Sequence, residues 1–198
     1  MSTSDVPDVA VHEGHHDVRD SRKVAMWAFL GSEVLFFGTL ITTYLLYRTR
    51  VEDGPGAADV FDIPFTSVSS FILLMSSLTM VLAHHSWERK DSRQMRIWLL
   101  ATAGLGMVFL AGQVYEFTEF VHKGLTVSTS PFGSSFFVLT GFHGAHVAVG
   151  VVMLLATAFM SFAGRLRTDE GMNVELVGLY WHFVDIVWIL LFTIVYLI

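Results

Sequence analysis

Long apolar runs alternate with short polar segments along the whole chain. Five runs reach the roughly 20 residues that a helix needs to cross the hydrocarbon of a bilayer. They cover residues 24–47, 66–86, 95–117, 132–163 and 174–198. The fourth is long enough to tilt or to extend past the membrane. All four prolines, Pro7, Pro55, Pro64 and Pro131, fall outside these runs, where helix breakers belong. The pattern predicts an all-α, polytopic bundle of five transmembrane helices, forming one domain over residues 24–198. Residues 1–23 are polar and carry no apolar core of a cleavable signal. They read as a flexible, histidine-containing segment. Residues 52–58 are rich in glycine and acidic side chains and read as turns.

Composition supports lipid as the solvent. The chain of 198 residues is 53% hydrophobic and 15% charged, against about 25% charge in a soluble domain. It has no cysteine, which excludes disulfides, thiolate chemistry and cysteine-ligated zinc or iron–sulfur centres. No glycine-rich nucleotide loop occurs in a strand–helix context, and nothing suggests a nucleic-acid partner. The net charge of −6 matters less than where the basic residues sit. Arg19, Arg22, Lys23, Arg89, Lys90, Arg93, Arg96, Arg165 and Arg167 fall on one side of the five spans. Arg48, Arg50 and Lys123 fall on the other. The excess marks the first side as cytoplasmic. The N-terminus is expected in the cytoplasm and the C-terminus on the periplasmic or outer side, with no soluble domain at either end.

Ionisable groups inside apolar spans are expensive, so each needs an account. At 1.5 Å per residue, Glu33 lies roughly 15 Å into the first span. His143 and His146 in the fourth span, and His182 and Asp185 in the fifth, reach a similar depth. Each pair has i,i+3 spacing and shares a helix face. Gln113, Glu116 and Glu119 come late in the third span. Three readings stay open for the midplane set. It could be a satisfied polar network that holds helices together, helped by the small residues Gly141, Gly144, Ala145, Ala148 and Gly150. Glu33 could handle protons or contact lipid. The histidines and carboxylates could hold iron or manganese, although the paired Glu-x-x-His motifs of di-metal bundles are missing. His12, His15, His16 and Asp17 form a loose cluster that reads as a solvated tail rather than a metal site. His84 and His85 end the second span at headgroup level. Trp27, Trp87 and Trp98 lie near span ends as an aromatic belt would.

The motifs carry a resemblance. The first span reads MWAFLGSEVLFFGTLITTYLLYR and the second ends in LTMVLAHHSWERKDSRQMRIWLLAT. The third ends in GQVYEFTEF, the fourth carries SSFFVLTGFHGAHVAVG and the fifth YWHFVDIVWILLFTIVYL. Together these resemble subunit III of the haem–copper terminal oxidases, cytochrome c and quinol oxidases alike. The likeness runs over nearly the whole length, and the last two motifs are highly specific. The longer form of that family has seven helices. This chain looks like the five-helix bacterial form, without an equivalent of the first two.

The resemblance implies a non-catalytic subunit with no haem, copper or other metal of its own. Those centres lie in partner subunits. It implies a proton-pumping oxidase of aerobic respiration in the bacterial cytoplasmic membrane. There the chain would pack on subunit I, with subunit II and a small subunit IV in the same complex. It would stabilise subunit I, support proton uptake and bind phospholipid. Glu33 matches the family's intramembrane glutamate, and His143, His146, His182 and Asp185 match its polar helix residues. Arg165 and Arg167 precede the last helix, where the family has basic residues near lipid phosphates. Glu33 is expected to be neutral or hydrogen-bonded to a histidine. The alternatives outside the family are an independent membrane di-metal enzyme and a small transporter or proton channel. The latter predicts repeats and broken helices, which the sequence does not display.

Overall fold

The computed structural model describes residues 9–49, 61–164 and 172–198, with side chains from Ser21 and from Asn173 in the first and last segments. Five helices follow in order: α1 Val9–Tyr47, α2 Ile63–Glu88, α3 Ser92–His122, α4 Pro131–Phe162 and α5 Met172–Phe192. A π-helical turn, Thr193–Leu197, continues α5. All five are long and apolar enough to cross a membrane, over Ser21–Tyr47, Ile63–Glu88, Ser92–His122, Pro131–Phe162 and Asn173–Leu197. These agree with the five expected spans to within a few residues. No strand occurs among the described residues.

The boundaries have local causes. Asp62 caps α2 by accepting from Phe65 N–H at 3.1 Å, with Pro64 in the first turn. Asp91 caps α3 by accepting from Arg93 and Gln94 N–H. Ser130 caps α4 by accepting from Gly133 N–H at 3.1 Å, and Pro131 follows it. Each cap satisfies amides that the first helical turn leaves open, and proline costs nothing there. The turn between α2 and α3 is so short that Lys90 takes a left-handed backbone (φ 59°), a conformation that non-glycine residues seldom adopt.

Helix α1 begins at Val9 rather than near residue 24. Helix therefore runs through part of the segment expected to be flexible. No proline follows Pro7 there, so nothing interrupts the hydrogen-bond ladder. The side chains of His12, His15, His16 and Asp17 lie outside the described ones, as do the turn-rich stretch 52–58 and both Arg165 and Arg167.

The helices do not share the interior equally. α5 packs against α1, α2 and α4, whereas α1 packs only on α4 and α5 as its main neighbours. The centre is Trp181 of α5, fully buried. Its ring lies over Gly106 of α3 and Gly150 of α4, where an added Cβ would stand 2.6 Å and 2.8 Å from indole carbons. Its Nε1–H donates to Ser76 Oγ of α2 at 2.9 Å. One side chain thus ties α2, α3 and α4 to α5, and two glycines are required for it to fit. The small residues of α4 divide accordingly. Gly144 meets Gln113, and Gly150 meets Trp181 and Tyr180. Gly141 has nothing within 4 Å of an added Cβ, and Ala145 is exposed, so these two do not mediate close approach within the chain.

At one end of the bundle Lys23 Nζ reaches Glu175 Oε1 at 2.8 Å, joining the starts of the α1 and α5 spans. At the other end Arg48 donates to Ile198 O at 2.6 Å and Tyr44 donates to Val195 O at 3.5 Å. Both acceptors lie in or just after the π-helical turn, where carbonyls leave the regular α-helical ladder.

Candidate functional site

The midplane polar residues sort into separate contacts. Glu33 of α1 and His146 of α4 face one another across the helix pair, with Glu33 Oε2 3.2 Å from His146 Nε2. Both side chains are largely buried. The other ring nitrogen, Nδ1, lies 2.7 Å from Phe142 O. A carbonyl oxygen only accepts, so Nδ1 carries a hydrogen. The contact between Nε2 and Oε2 then needs one more proton. It sits either on the glutamic acid, donating to a neutral imidazole, or on the imidazolium, donating to a carboxylate. In both states the pair is neutral overall, which removes most of the penalty of an isolated charge in lipid.

The shell around this pair comes from neighbouring sequence positions. Phe36 and Phe37, three and four residues after Glu33, place their rings 6.2 Å and 5.0 Å from the His146 ring. Phe142 packs edge-on against Phe36 at 5.2 Å. Tyr180 of α5 donates to His146 O at 3.0 Å and stacks near Phe29 of α1 at 6.4 Å. The Ser-Glu element and the two phenylalanines after it therefore act as one unit, with the aromatic rings screening the acid–imidazole contact from the side.

His143 lies one turn from His146 but in different surroundings. It is fully buried, stacked on Trp188 at 4.8 Å and edge-on to Phe109 at 6.1 Å. Neither ring nitrogen has a hydrogen-bond partner. The i,i+3 spacing thus placed the two histidines on adjoining sectors of α4, and only His146 meets Glu33. His182 and Asp185 of α5 turn towards α2 instead. His182 Nδ1 lies 2.7 Å from Ser77 Oγ. Asp185 is 4% exposed, and neither of its carboxyl oxygens has a hydrogen-bond partner. Among the described residues no three His, Asp or Glu side chains converge in a way that could hold a metal ion.

A further polar contact lies towards the Lys123 end. Glu116 is buried on α3, and Thr66 of α2 donates its hydroxyl to Glu116 Oε1. One turn away Gln113 donates to Thr140 O at 2.7 Å, and its Oε1 presses against Gly144. Sequence reasoning placed Gln113 and Glu116 at this depth but did not supply their partners. It also passed over Ser70, Ser76 and Ser77, which receive Trp188, Trp181 and His182. The available signal was their spacing. Ser70 and Ser77 are seven residues apart on one face of α2.

The family model described as cytochrome c oxidase subunit III matches residues 3–198. A cytochrome c oxidase subunit 3 from Bacillus sp. (strain PS3) is 38% identical over 174 residues, covering 88% of this chain and 84% of that protein. A probable quinol oxidase subunit 3 from Staphylococcus saprophyticus is 36% identical over 192 residues, covering 96% and 93%. A quinol oxidase subunit 3 from Bacillus subtilis (strain 168) is 36% identical over 174 residues, covering 88% and 85%.

Proposed function

The chain belongs to the cytochrome c oxidase subunit III family, and from that premise we propose how this multi-pass membrane subunit serves its complex. As a non-catalytic subunit III of a haem–copper terminal oxidase, it packs on subunit I, in a complex that also holds subunit II and a small subunit IV. It stabilises subunit I, supports proton uptake and binds phospholipid. Its place is the bacterial cytoplasmic membrane, with the Lys23 end towards the cytoplasm, as the distribution of basic residues favours. Arg165 and Arg167 lie outside the described residues, and the lipid-phosphate role proposed for them rests on their sequence position before the last helix.

The observation that carries the proton role is the Glu33–His146 contact at 3.2 Å. One proton held between two midplane side chains of different helices has two resting places, the Glu33 carboxyl and His146 Nε2. Such a pair can pass that proton between Oε2 and Nε2 without changing its net charge in lipid. Relatives of similar identity are named for cytochrome c and for quinol oxidases, so the electron donor is set by other subunits.

The test is mild-detergent purification of the tagged chain, followed by Glu33→Gln in the same complex. Co-purification of a haem- and copper-containing subunit I is expected. The variant should assemble and show slowed proton uptake. Normal uptake kinetics in an assembled Glu33→Gln oxidase would remove the proton role. Stoichiometric iron or manganese in the chain purified alone would favour the di-metal enzyme instead.

A further inference from the structure

At the Lys23 end of the bundle an arginine joins α3 to α4. Arg96 lies four residues after the first residue of α3, about 6 Å along the helix at 1.5 Å per residue. Its Nε–H donates to Ser161 Oγ of α4 at 3.0 Å, and Ser161 is buried. Its guanidinium carbon stands over the Phe162 ring, 4.9 Å from the centroid. One hydrogen bond and one cation–π contact therefore fix the plane of the fork. They occupy Nε and one face. The terminal nitrogens Nη1 and Nη2 have no hydrogen-bond partner, and no carboxylate comes within ion-pair distance of them, among the described residues. Arg96 is half-buried, and a cation at that depth calls for a counter-charge.

The acids at this end of the bundle are already engaged. Asp91 caps α3 by accepting from Arg93 and Gln94 N–H. Glu88 faces His84 at 3.8 Å and His85 at 3.7 Å, and Glu175 holds Lys23. Meanwhile Arg89, Lys90 and Arg93 add positive charge in the same stretch of chain, all three exposed. Arg93 is three residues before Arg96 and so shares its side of α3. Deeper in the membrane both helices turn apolar faces outward. On α3, one and three turns beyond Arg96, Leu100 and Met107 are exposed, and between them Gly104 has nothing within 4 Å of an added Cβ. On α4, Leu155 and Phe159 are exposed at helical spacing before Phe162. The two helices pack directly on one another, so the basic fork stands at the head of a lipid-facing apolar surface.

We propose that Arg96, together with Arg93, seats the phosphate of an anionic phospholipid whose acyl chains lie along α3 and α4. The fork held by Ser161 and Phe162 presents its free Nη–H groups side by side, which suits two phosphate oxygens. The charge balance selects the lipid class. A headgroup whose only charge is its phosphate finds four basic side chains and no opposing acid. The ammonium of a zwitterionic headgroup would meet Arg89, Lys90 and Arg93, with no unengaged carboxylate at this end among the described residues. Ser161 and Phe162 act as positioning residues. This site rests on the lipid-binding reading given above. It adds residues other than Arg165 and Arg167, and a headgroup charge.

Spin-labelled phosphatidylglycerol and phosphatidylcholine, added in turn to the intact oxidase complex in mild detergent, test the site. The wild type should prefer phosphatidylglycerol. Arg96→Gln should cut that preference about fivefold, the worth of one basic residue beside anionic headgroups. Arg96→Lys keeps the charge without the fork and should lose less. Ser161→Ala keeps the charge and frees the fork, so it should also weaken the preference. Excess inorganic phosphate should leave the bound label in place, and its displacement would reveal a site for free phosphate instead. An unchanged preference in Arg96→Gln overturns the proposal. So does loss of subunit I from Arg96→Gln with a wild-type preference in Ser161→Ala, which would pair the arginine with an acidic side chain of a partner subunit. If Arg96→Gln fails to assemble, Arg96→Lys and Ser161→Ala decide, and a wild-type preference in both refutes the site. A fall in thermal midpoint with the preference intact would mark Arg96 as a clamp between helices only. Wild-type complex that binds neither label removes the lipid-binding reading itself, whereas equal binding of both labels removes only the anionic site.

Discussion

Helices α1 and α5 each bring an acid to the middle of the bundle, yet they stand in opposite relations to the rest of the chain. In the most apolar stretch of α5 half the residues (50%) are buried, against 11% in α1. α5 places Trp181 at the junction of three other helices. α1 leaves Trp27, Leu35, Gly31 and Gly38 on its outer side, with nothing within 4 Å of an added Cβ at either glycine. Composition does not separate the two, since both spans have a mean hydropathy of 1.8. In lipid, apolarity only licenses insertion. Which helix becomes the centre is decided by shape, hydrogen bonds and small residues.

Paired substitutions can break this contrast. Trp181→Ala should have the largest effect, removing a fully buried ring and its bond to Ser76. A loss of about 3–5 kcal/mol is expected, read as a fall in thermal midpoint in detergent. Trp27→Ala, on a side chain 61% exposed, should move stability by less than about 0.5 kcal/mol. Equal effects would remove the distinction between the helices.

Glycines give a contrast of sign. Gly150→Ala drives a methyl into Trp181 and should cost about 1–3 kcal/mol. Gly38→Ala meets open space and gains helix propensity, so the purified chain should be unchanged or stabilised by up to about 1 kcal/mol. A loss at Gly38 only within the assembled oxidase would show that a partner covers that face.

The acid of α1 sharpens the comparison further. Glu33→Gln keeps a donor for His146 Nε2 and should cost less than about 1 kcal/mol. Glu33→Leu strands the nitrogen and should cost about 1–3 kcal/mol. Helical assembly measured for the two variants side by side checks this, and equal stability would mean that the contact does not hold α1 in place. The smallest effect is expected at the helix starts. Lys23→Met breaks the ion pair with Glu175, which is partly exposed and worth about 0.2–1 kcal/mol. That loss should shrink at high salt.

The five spans were legible because lipid forces backbone hydrogen bonding within each helix, and length and apolarity then mark the crossing. Proline and capping residues marked the ends of α2, α3 and α4 well. The start of α1 was not legible, since its polar turns lack the apolar signal used to recognise a helix there. In the site, the expectation that Glu33 is hydrogen-bonded to a histidine agrees with the contact to His146. Depth and spacing could not tell His146 from His143, because three residues on a helix differ by 60° in direction. That small angle separates a ring facing α1 from one buried against Trp188. The serine partners were missed for a different reason. A hydroxyl in a span usually bonds its own helix, so its sequence position says little until a neighbour arrives.

The single proton held between Glu33 and His146 has a consequence for how voltage acts on the membrane. A full charge moved across the bilayer changes its energy by about 2.3 kcal/mol per 100 mV. The pair is neutral, so a uniform field exerts no net pull on it. Its internal proton shift runs from one helix to its neighbour over a few ångströms, largely sideways to the field. The energised state of the membrane should therefore leave the division of the proton between Glu33 and His146 almost untouched. Filling or emptying the pair, by contrast, carries a whole charge between the surface and the midplane, so that step answers to the membrane potential by about 1 kcal/mol per 100 mV.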